Sequence, residues 1–350
     1  MRKITLLLTL CGFIGCTFAT INTTTPVGTK YKHTTTHKKH RKNTKKLQTT
    51  KHKKKHGARN LRTTRTPRII DTEYSSIVAQ KKSSSSGIPR DFVDQGAVSR
   101  QPRLYSYAAI ALNANTGEIV VSKNPHAQLP IASITKLMTA MVLLDSGVSL
   151  DDYVTVTSDD IDKLRNTFSR LKVGMQFRRR DLLLLALMSS ENRAAHALAR
   201  TAYADGLSVF VRKMNEKAKS LGMNNTQFYD PTGLTNQNKS TAIDLSKMVQ
   251  QAYTYESIRR DTTTKDADVM FGAKYVHRYR NTDVLVRGDN LRVELSKTGF
   301  INEAGHCLAL YSTVNNKPIV MVFLNSAGQS GRIIDAMAVK NYVEKMRGQS

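Results

Sequence analysis

Acidic residues are missing from the first fifth of this 350-residue chain, which limits where a folded domain can lie. Residues 1–70 contain no Asp or Glu, while residues 30–68 carry 16 Lys or Arg and five His, and those 16 charges exceed half of the formal net charge of +27. Residues 20–70 also have almost no large apolar side chains, so burial there cannot offset the entropy of ordering. We therefore predict a weakly ordered basic tail and linker over 20–100, followed by a folded domain over 101–350.

The first 19 residues have the pattern of an export signal. Arg2 and Lys3 precede a short apolar run, and small residues stand at two of the last three positions. The run is shorter than the roughly 20 apolar residues that a membrane span needs. Two alternatives stay open, an uncleaved anchor and lipidation at Cys16, although Phe13 is poorly suited to a lipoprotein site. We predict a signal peptide over 1–19 and an exported, periplasmic protein.

The cysteines indicate a core without disulfides. Cleavage near Ala19 would remove Cys11 and Cys16 and leave Cys307 alone. An exported protein with one cysteine has no internal disulfide, so its apolar core must suffice. Because Cys307 lies in an apolar run, we expect a buried structural thiol there and not a nucleophile.

The basic tract over 30–68 predicts a polyanionic partner, since Lys and Arg runs bind phosphates and other anions whatever their sequence. Its one aromatic residue, Tyr31, offers almost no base stacking, so nucleic acid is a disfavoured partner. An exported chain would meet a membrane surface or anionic envelope polymers first. A solvated tail without a specific partner remains the alternative.

Strand patterns lie at both ends of the region after residue 104, with helical patterns between them. The predicted strands are 105–112, 118–122, 291–296, 307–312 and 319–324, and turn residues such as Gly299 separate the last three. The predicted helices are 134–144, 181–188, 192–203, 207–221, 241–252 and 333–346. This order favours an α/β (α+β layered) fold, in which one antiparallel sheet built from both termini is flanked by helices and accompanied by an all-helical subdomain.

The first motif that can carry chemistry is Ser133-Ile-Thr-Lys136 at the start of a buried helix. Positions i and i+3 share a helix face, which brings the Lys136 amine within reach of the Ser133 hydroxyl. Burial and a nearby positive charge would lower the pKa of Lys136, so that it could act as a base for that hydroxyl. A second copy, Ser169-Arg-Leu-Lys172, has no buried helix behind it, and we interpret it as chance.

The second motif is Ser190-Glu191-Asn192, between two predicted helices. Ser190 could relay a proton to a leaving amine, and the Asn192 amide could hold a substrate carbonyl or steady Lys136. The alternative is an ordinary helix N-cap at Ser189 or Ser190.

The third motif is Lys297-Thr298-Gly299, at the end of a predicted strand. Lys297 can attract an anionic substrate end, Thr298 can bond a carboxylate, and Gly299 would let a substrate backbone approach closely. The next N–H, on Phe300, is placed to join that of Ser133 in an oxyanion hole. The alternative is a plain strand end followed by a turn.

Each motif is weak alone, but their order and spacing are specific. The trio is typical of penicillin-binding proteins and class A β-lactamases, here with Glu191 in place of the usual Asp. Longer stretches extend the likeness, namely ASITKLMTAM (132–141), SSENRAA (189–195), DPTGL (230–234), STAIDL (240–245) and ELSKTGFI (294–301). Over residues 103–348 the chain resembles the serine DD-peptidases, and among them the low-molecular-weight penicillin-binding proteins of the D-alanyl-D-alanine endopeptidase, or penicillin-binding protein 7, type.

The resemblance implies a β-lactamase/DD-peptidase-like fold and a catalytic domain over 101–350. It implies that Ser133 forms an acyl-enzyme, that Lys136 is its base, and that Ser190 and Asn192 assist proton transfer and placement. The same likeness implies a substrate-binding role for the strand residues Lys297, Thr298, Gly299 and Phe300. The expected substrates are D-Ala-containing peptidoglycan cross-bridges, the expected inhibitors are β-lactams, and no metal or organic cofactor is implied.

Three other functions compete with this expectation. About 50 residues follow Lys297, too few for the extra β-domain of DD-carboxypeptidases, which favours the endopeptidase type. A class A β-lactamase needs a Glu-x-x-Leu-Asn pattern for fast deacylation, and that pattern does not occur, so we expect slow β-lactam turnover. A non-catalytic wall-binding protein is disfavoured because all three motifs are intact.

Overall fold

A computed structural model describes residues 101–271 and 275–346, and the predicted signal peptide and basic tail lie outside them. Its centre is a five-stranded antiparallel sheet in the order β2-β1-β11-β10-β9. The strands of that sheet are β1 Ser106–Asn113, β2 Ile119–Lys123, β9 Arg292–Ile301, β10 Gly305–Val314 and β11 Lys317–Ser326. Both ends of the domain therefore contribute to one sheet, which confirms the predicted architecture.

Eight α-helices, two short 3₁₀ helices and three small strand pairs accompany this sheet in the described residues. The helices are α1 Thr135–Asp145, α2 Arg179–Met188, α3 Asn192–Arg200, α4 Gly206–Ser220, α5 Ala242–Tyr253, α6 Glu256–Thr263, α7 Val284–Arg287 and α8 Gly328–Lys345. The small pairs join β3 Leu129–Pro130 to β6 Lys239–Ser240, β4 Tyr153–Thr155 to β5 Gln176–Arg178, and β7 Asp266–Phe271 to β8 Tyr275–Arg280. Within the described residues no helix is both long and apolar enough to cross a membrane.

Alternating side chains of the central strands divide the interior into two cores. On β11, Val320, Val322 and Leu324 face the larger core, whereas Met321 and Phe323 face the smaller one. Helix α5 packs on the first face of the sheet and α8 on the second. The sheet is therefore buried on both sides, which is why β10 and β11 appear in the sequence as almost continuous apolar runs.

Helix α1 passes through the larger core. Nine of its 11 residues are buried, so nearly its whole circumference contacts protein, as its sequence predicts. It ends at Asp145 with Ser146 as its C-cap, and Gly147 follows with a φ of +72°, the left-handed conformation that commonly closes a helix. A lysine on this helix can therefore be carried into the interior.

The structure corrects two features of the predicted fold. Gly299 does not lie in a turn; it lies within the ten-residue strand β9, paired with Cys307 of β10. The segment between α5 and β9, for which no elements were predicted, forms α6, the β7–β8 hairpin and α7. That hairpin is largely exposed, so its apolar pattern is weak.

A buried carboxylate ties α8 to the first strand. Asp335 has no exposed surface and accepts hydrogen bonds from the backbone N–H groups of Tyr105 and Ser106, at 2.7 and 2.8 Å, and from the Ser106 hydroxyl at 2.6 Å. We expect Asp335→Ala to lower the free energy of unfolding by about 3 kcal/mol, because it leaves buried donors without acceptors. Urea denaturation checks the value, and Ser106→Ala, which removes one of the three bonds, should cost only about 1 kcal/mol. Equal losses in the two variants would contradict this account.

Candidate active site

Ser133 lies in a one-turn 3₁₀ helix, Ala132–Ile134, that leads directly into α1. Ala132 has a φ of +48°, a left-handed conformation that is costly for a residue with a side chain. The Lys136 Nζ atom lies 2.8 Å from the Ser133 hydroxyl, so the two groups meet as their spacing predicts. The strained turn therefore positions the Ser133 hydroxyl next to the Lys136 amine at the start of α1.

The Lys136 amine is buried and surrounded by acceptors. Besides Ser133, it donates to Asn192 Oδ1 at 2.8 Å and to the carbonyl oxygen of Thr232 at 2.7 Å. Burial is the main cause that lowers its pKa to about 7, and the carboxylates of Asp230 and Glu191 oppose the shift. A positive charge does lie nearby, because Lys136 and Lys297 are close enough for their charges to repel each other. Near neutral pH the amine can therefore exist in its basic form.

The Ser190-Glu191-Asn192 segment is the junction between α2 and α3. Ser190 has a φ of +61°, and its hydroxyl accepts a hydrogen bond from Lys297 Nζ at 3.0 Å. The N-cap position of α3 belongs to Glu191, and no side chain caps that helix. The N-cap alternative for Ser189 or Ser190 is therefore wrong, and Ser190 and Asn192 each contact one of the two buried lysines.

Strand β9 brings Lys297 and Thr298 to the same site. Lys297 is buried, and its pKa lies well below the ordinary value because of burial and, next, the positive charges of Lys136 and Arg332. A bound carboxylate would raise that pKa again. The Thr298 hydroxyl is 2.6 Å from that of Thr282. Lys297, Thr298 and Ser190 thus form a polar surface beside the Ser133–Lys136 pair.

Gly299 allows β9 to approach the Ser133 turn. A Cβ atom at position 299 would lie 3.0 Å from the carbonyl oxygen of Ile131 and 3.1 Å from the backbone nitrogen of Ser133. The missing side chain of Gly299 therefore lets the backbone of the Ser133 turn pack closely against β9. The sequence had predicted close approach of a substrate backbone and not this contact. Phe300 follows, 53% exposed, with its ring stacked 4.4 Å from that of His306.

The segment 230–234 holds the nucleophile turn from the opposite side. Its Asp230 Oδ1 accepts hydrogen bonds from the backbone of Thr232 and Gly233, at 2.5 and 2.6 Å, which turns the Thr232 carbonyl toward Lys136. Thr139 of α1 donates to the carbonyl oxygen of Pro231 at 2.6 Å. The sequence showed this segment only through its family likeness, and no role had been predicted for it.

Gly233 is the residue of this segment that tolerates least change. Its φ is +82°, and a Cβ atom there would overlap the carbonyl oxygen of Ala132 and lie 2.9 Å from Thr135 Oγ1. We expect Gly233→Ala to displace the Ser133 turn and slow acylation by labelled penicillin more than about tenfold. Gly222→Ala is the matched control. Gly222 also has a positive φ, +68°, but a Cβ atom there would meet only the flexible Lys247 side chain, with Nζ at 3.7 Å. Similar acylation rates in the two variants would mean that the contact does not position Ser133.

Two further residues of the site were missed by sequence reasoning. Thr282, just after the β7–β8 hairpin, contacts the Thr298 hydroxyl, and Arg332 of α8 donates to the carbonyl oxygens of Gly299 and Cys307 at 3.1 Å each. Neither residue belongs to a recognisable motif. Both are distant from the motifs in the sequence, and folding brings them next to the site. Cys307 itself is buried with its pKa raised to about 11 by burial, as expected of a structural thiol.

The second Ser-x-x-Lys copy does not form such a site. The Ser169 hydroxyl accepts a hydrogen bond from the backbone of Leu171 at 3.1 Å, and Lys172 is exposed. This agrees with the interpretation of the copy as chance.

A comparison with protein families finds one family model that matches most of the described domain. The family model described as D-alanyl-D-alanine carboxypeptidase matches residues 95–328. The chain belongs to this family. Similar curated proteins are the D-alanyl-D-alanine endopeptidases of Pseudomonas aeruginosa and Escherichia coli, 44% and 42% identical over 245 residues, which cover 70% of this chain and 79% of each relative.

The fold agrees with that assignment. The crystal structure of the Streptomyces K15 DD-transpeptidase matches with a TM-score of 0.64 and 29% identity, covering 69% of this chain and 98% of the other. The recognised family and the predicted DD-peptidase-like fold are therefore both confirmed. The individual roles of Ser133, Lys136 and their neighbours remain predictions.

Proposed function

We propose that this serine-type D-Ala-D-Ala peptidase is an endopeptidase that cuts D-Ala-containing cross-bridges of peptidoglycan through an acyl-enzyme. The observation that carries the proposal is the 2.8 Å contact between the Ser133 hydroxyl and the buried Lys136 amine. The names of the relatives from P. aeruginosa and E. coli favour the endopeptidase over the carboxypeptidase. Removal of terminal D-Ala is the alternative, since the family description is that of a carboxypeptidase.

In the proposed reaction, neutral Lys136 takes the proton of Ser133 as the serine oxygen attacks the carbonyl carbon of D-Ala. The N–H groups of Ser133 and Phe300 stabilise the resulting oxyanion. The C–N bond then breaks as Ser190 gives its proton to the leaving amine and takes up the proton that Lys136 holds, so Lys136 becomes neutral again and the acyl group stays on Ser133. Water, deprotonated by Lys136, finally attacks the ester, and Lys136 returns the proton to the Ser133 oxygen as the ester C–O bond breaks and the enzyme is freed.

The leaving side of the substrate carries a carboxylate, for which β9 offers partners. Lys297 supplies a donor and Thr298 a hydroxyl, and the Asn192 amide, which already donates to Thr167, would give its second N–H to a substrate carbonyl. Arg332 adds positive charge behind the same strand, as its effect on the pKa of Lys297 indicates. This set fits a D-amino acid carboxylate next to the scissile bond.

Digestion of purified cross-linked muropeptides tests the proposed specificity. An endopeptidase converts dimers to monomers that retain both stems, whereas a carboxypeptidase shortens pentapeptide monomers by the mass of one alanine. Mass spectrometry of both substrates decides between the two. Loss of terminal D-Ala with intact dimers would overturn the endopeptidase proposal and leave the serine mechanism in place.

β-Lactams mimic D-Ala-D-Ala and should acylate Ser133 and remain bound. The chain lacks the Glu-x-x-Leu-Asn pattern that activates water in class A β-lactamases, so the acyl-enzyme should turn over slowly. Labelled penicillin followed by a chase with unlabelled drug measures the release. Release within milliseconds would favour the β-lactamase alternative.

We further propose that the chain is exported to the periplasm by residues 1–19 and that residues 30–68 bind anionic envelope polymers or a membrane surface. The support is the sequence alone, 16 Lys or Arg without an acidic residue. Binding of the mature chain to vesicles with and without anionic lipid, titrated with salt, tests the second part. Binding that persists when 20–70 are deleted would contradict it, and binding to duplex DNA alone would favour a nucleic-acid arm.

A further inference from the structure

A polar cavity of about 550 Å³ lies over the small strand pair β3–β6. Its lining side chains come from three short segments, 128–130, 227–229 and 236–239. None of the lining residues is acidic, and the only basic one is Lys239. The proposed reaction uses none of them, so the cavity is a polar, nearly neutral surface with no role in the chemical step.

The register of these segments places most of the lining side chains on one face. Lys239 pairs with Pro130 of β3, and on its other side it exchanges two backbone hydrogen bonds with Gln227, at 2.9 and 3.1 Å. Residues directly opposite each other in antiparallel strands share a face, and so do residues two apart along a strand. We name this face the polar platform, and its other members are Gln128, Tyr229 and Gln237. The intervening Phe228 and Asn238 are buried, as this alternation requires.

The polar platform combines uncommitted side-chain amides with an exposed aromatic ring. The side chains of Gln227 and Gln237 make no hydrogen bond to any residue of the described ranges, and Gln128 uses only its Nε2 atom, which donates to the Asn225 carbonyl at 3.0 Å. Each amide group can both donate and accept. The Tyr229 ring is 55% exposed and stacks on no other ring of the described chain. Such a surface matches a neutral ligand that offers hydroxyl or amide groups together with a flat apolar face.

The polar platform is attached to the nucleophile turn. The backbone N–H of Ile131, which precedes the Ser133 turn, donates to the Asn238 carbonyl oxygen at 3.1 Å. The Asn238 side chain accepts from the Tyr229 backbone at 2.7 Å and donates to Thr135 Oγ1 at 3.1 Å. A ligand on the polar platform therefore lies beside the proposed active site and can be part of the same substrate molecule.

We infer that the polar platform binds an N-acetylated sugar of the glycan strand that carries a stem peptide of the substrate. The hydroxyl and acetamido groups of such a sugar can exchange hydrogen bonds with the glutamine amides, and the apolar face of its ring can lie on Tyr229. A stem peptide fits less well, because its carboxylates would meet a single cation, Lys239. The endopeptidase thus recognises the sugar as well as the peptide bond that it cuts.

The inference rests on the proposed function, and its main test compares two substrates. Cross-linked muropeptide dimers are prepared with their disaccharides and, after amidase treatment, as sugar-free peptides. We expect the wild-type chain to show about tenfold higher kcat/KM for the sugar-bearing dimer, the combined effect of one stacked ring and one net hydrogen bond. Tyr229→Ala should lower this preference about threefold, and combining it with Gln237→Ala should remove it. Tyr229→Phe keeps the ring and should keep the preference.

Tyr107→Ala is the matched control, because Tyr107 is 52% exposed and lies on β1, outside the cavity. It should leave the preference for the sugar-bearing dimer unchanged. The preference should also persist at raised salt, whereas binding through the basic segment 30–68 would weaken. Equal kcat/KM for the two dimers on the wild type would overturn the inference. A preference that disappears with salt, or that Tyr107→Ala lowers as much as Tyr229→Ala does, would overturn it as well.

A binding measurement keeps this inference separate from the proposed function. A β-linked tetramer of N-acetylglucosamine contains no peptide, so its binding does not depend on hydrolysis. Calorimetric titration should show saturable binding to the wild-type chain, with a Kd that Tyr229→Ala raises about threefold. If dimers are not cut but the tetramer binds in this way, the endopeptidase proposal fails and the sugar site stands. Absence of tetramer binding, or equal binding to Tyr229→Ala, would overturn the sugar site alone.

Discussion

Ser133→Ala should abolish acylation by labelled penicillin and reduce cross-link hydrolysis by at least about 10⁴-fold. The reason is that the proposed reaction passes through an ester on the Ser133 oxygen, and the hydroxyl lies 2.8 Å from the Lys136 amine that would deprotonate it. Alanine leaves the amine without an oxygen to activate. Gel fluorescence after incubation with labelled penicillin, and mass spectrometry of the protein, measure the acylation directly.

The chain provides a matched control in its second Ser-x-x-Lys copy. Ser169→Ala makes the same substitution in the same motif, but without a buried lysine behind it, and should keep acylation within about threefold. Binding of Ser133→Ala to purified cell wall should survive if the fold is intact. Retained hydrolysis in Ser133→Ala would remove the acyl-enzyme mechanism, and a protein that binds wall but never cuts it, even as wild type, would be the non-catalytic alternative.

The local geometry of the site could be predicted where it depends on one element. The Ser133–Lys136 contact follows from i, i+3 spacing on a helix, and the burial of Lys136 follows from the apolar circumference of α1. The order of strands and helices was sufficient to predict the central sheet, because its strands appear in the sequence as apolar runs at both ends of the domain.

What could not be predicted depends on contacts between distant segments. Gly299 had the signature of a turn residue, yet it lies inside β9 because the Ser133 turn packs against that strand. Arg332 sits on the last helix and reaches β9 only through the fold. The Thr232 carbonyl oxygen accepts a hydrogen bond from Lys136. Because every residue has a backbone carbonyl, no residue type in the sequence could indicate this contact.

The same limit explains the electrostatics. A pattern can show that Lys136 is buried but not which charges surround it, and the structure places acidic groups there. Repulsion from Lys136 also lowers the pKa of Lys297, after the larger effect of burial. The pKa of both lysines is therefore lowered mainly by burial, although acidic groups oppose the shift in each case.

The rate of acylation should rise about tenfold per pH unit below about 7 and level off above it, since only neutral Lys136 can accept the Ser133 proton and its pKa is about 7. Lys136→Met should lower the rate by about 10³-fold and remove the rise. Stability gives an independent check of the same pKa. Between about 7 and 10.5, the lysine is protonated in the unfolded chain and neutral in the folded one, so unfolding free energy should increase with pH across that window.

The methionine variant tests how much of this pH dependence comes from Lys136. Lys136→Met removes the titration of Lys136 and also the charge that lowers the pKa of Lys297. Both changes flatten the stability curve of the variant, so we expect the wild-type curve to be the steeper one across the window. Stopped-flow acylation and urea denaturation at matched pH values provide both measurements. A flat rate profile together with parallel stability curves would mean that Lys136 keeps its proton in the folded protein, and another group would then have to serve as the base for Ser133.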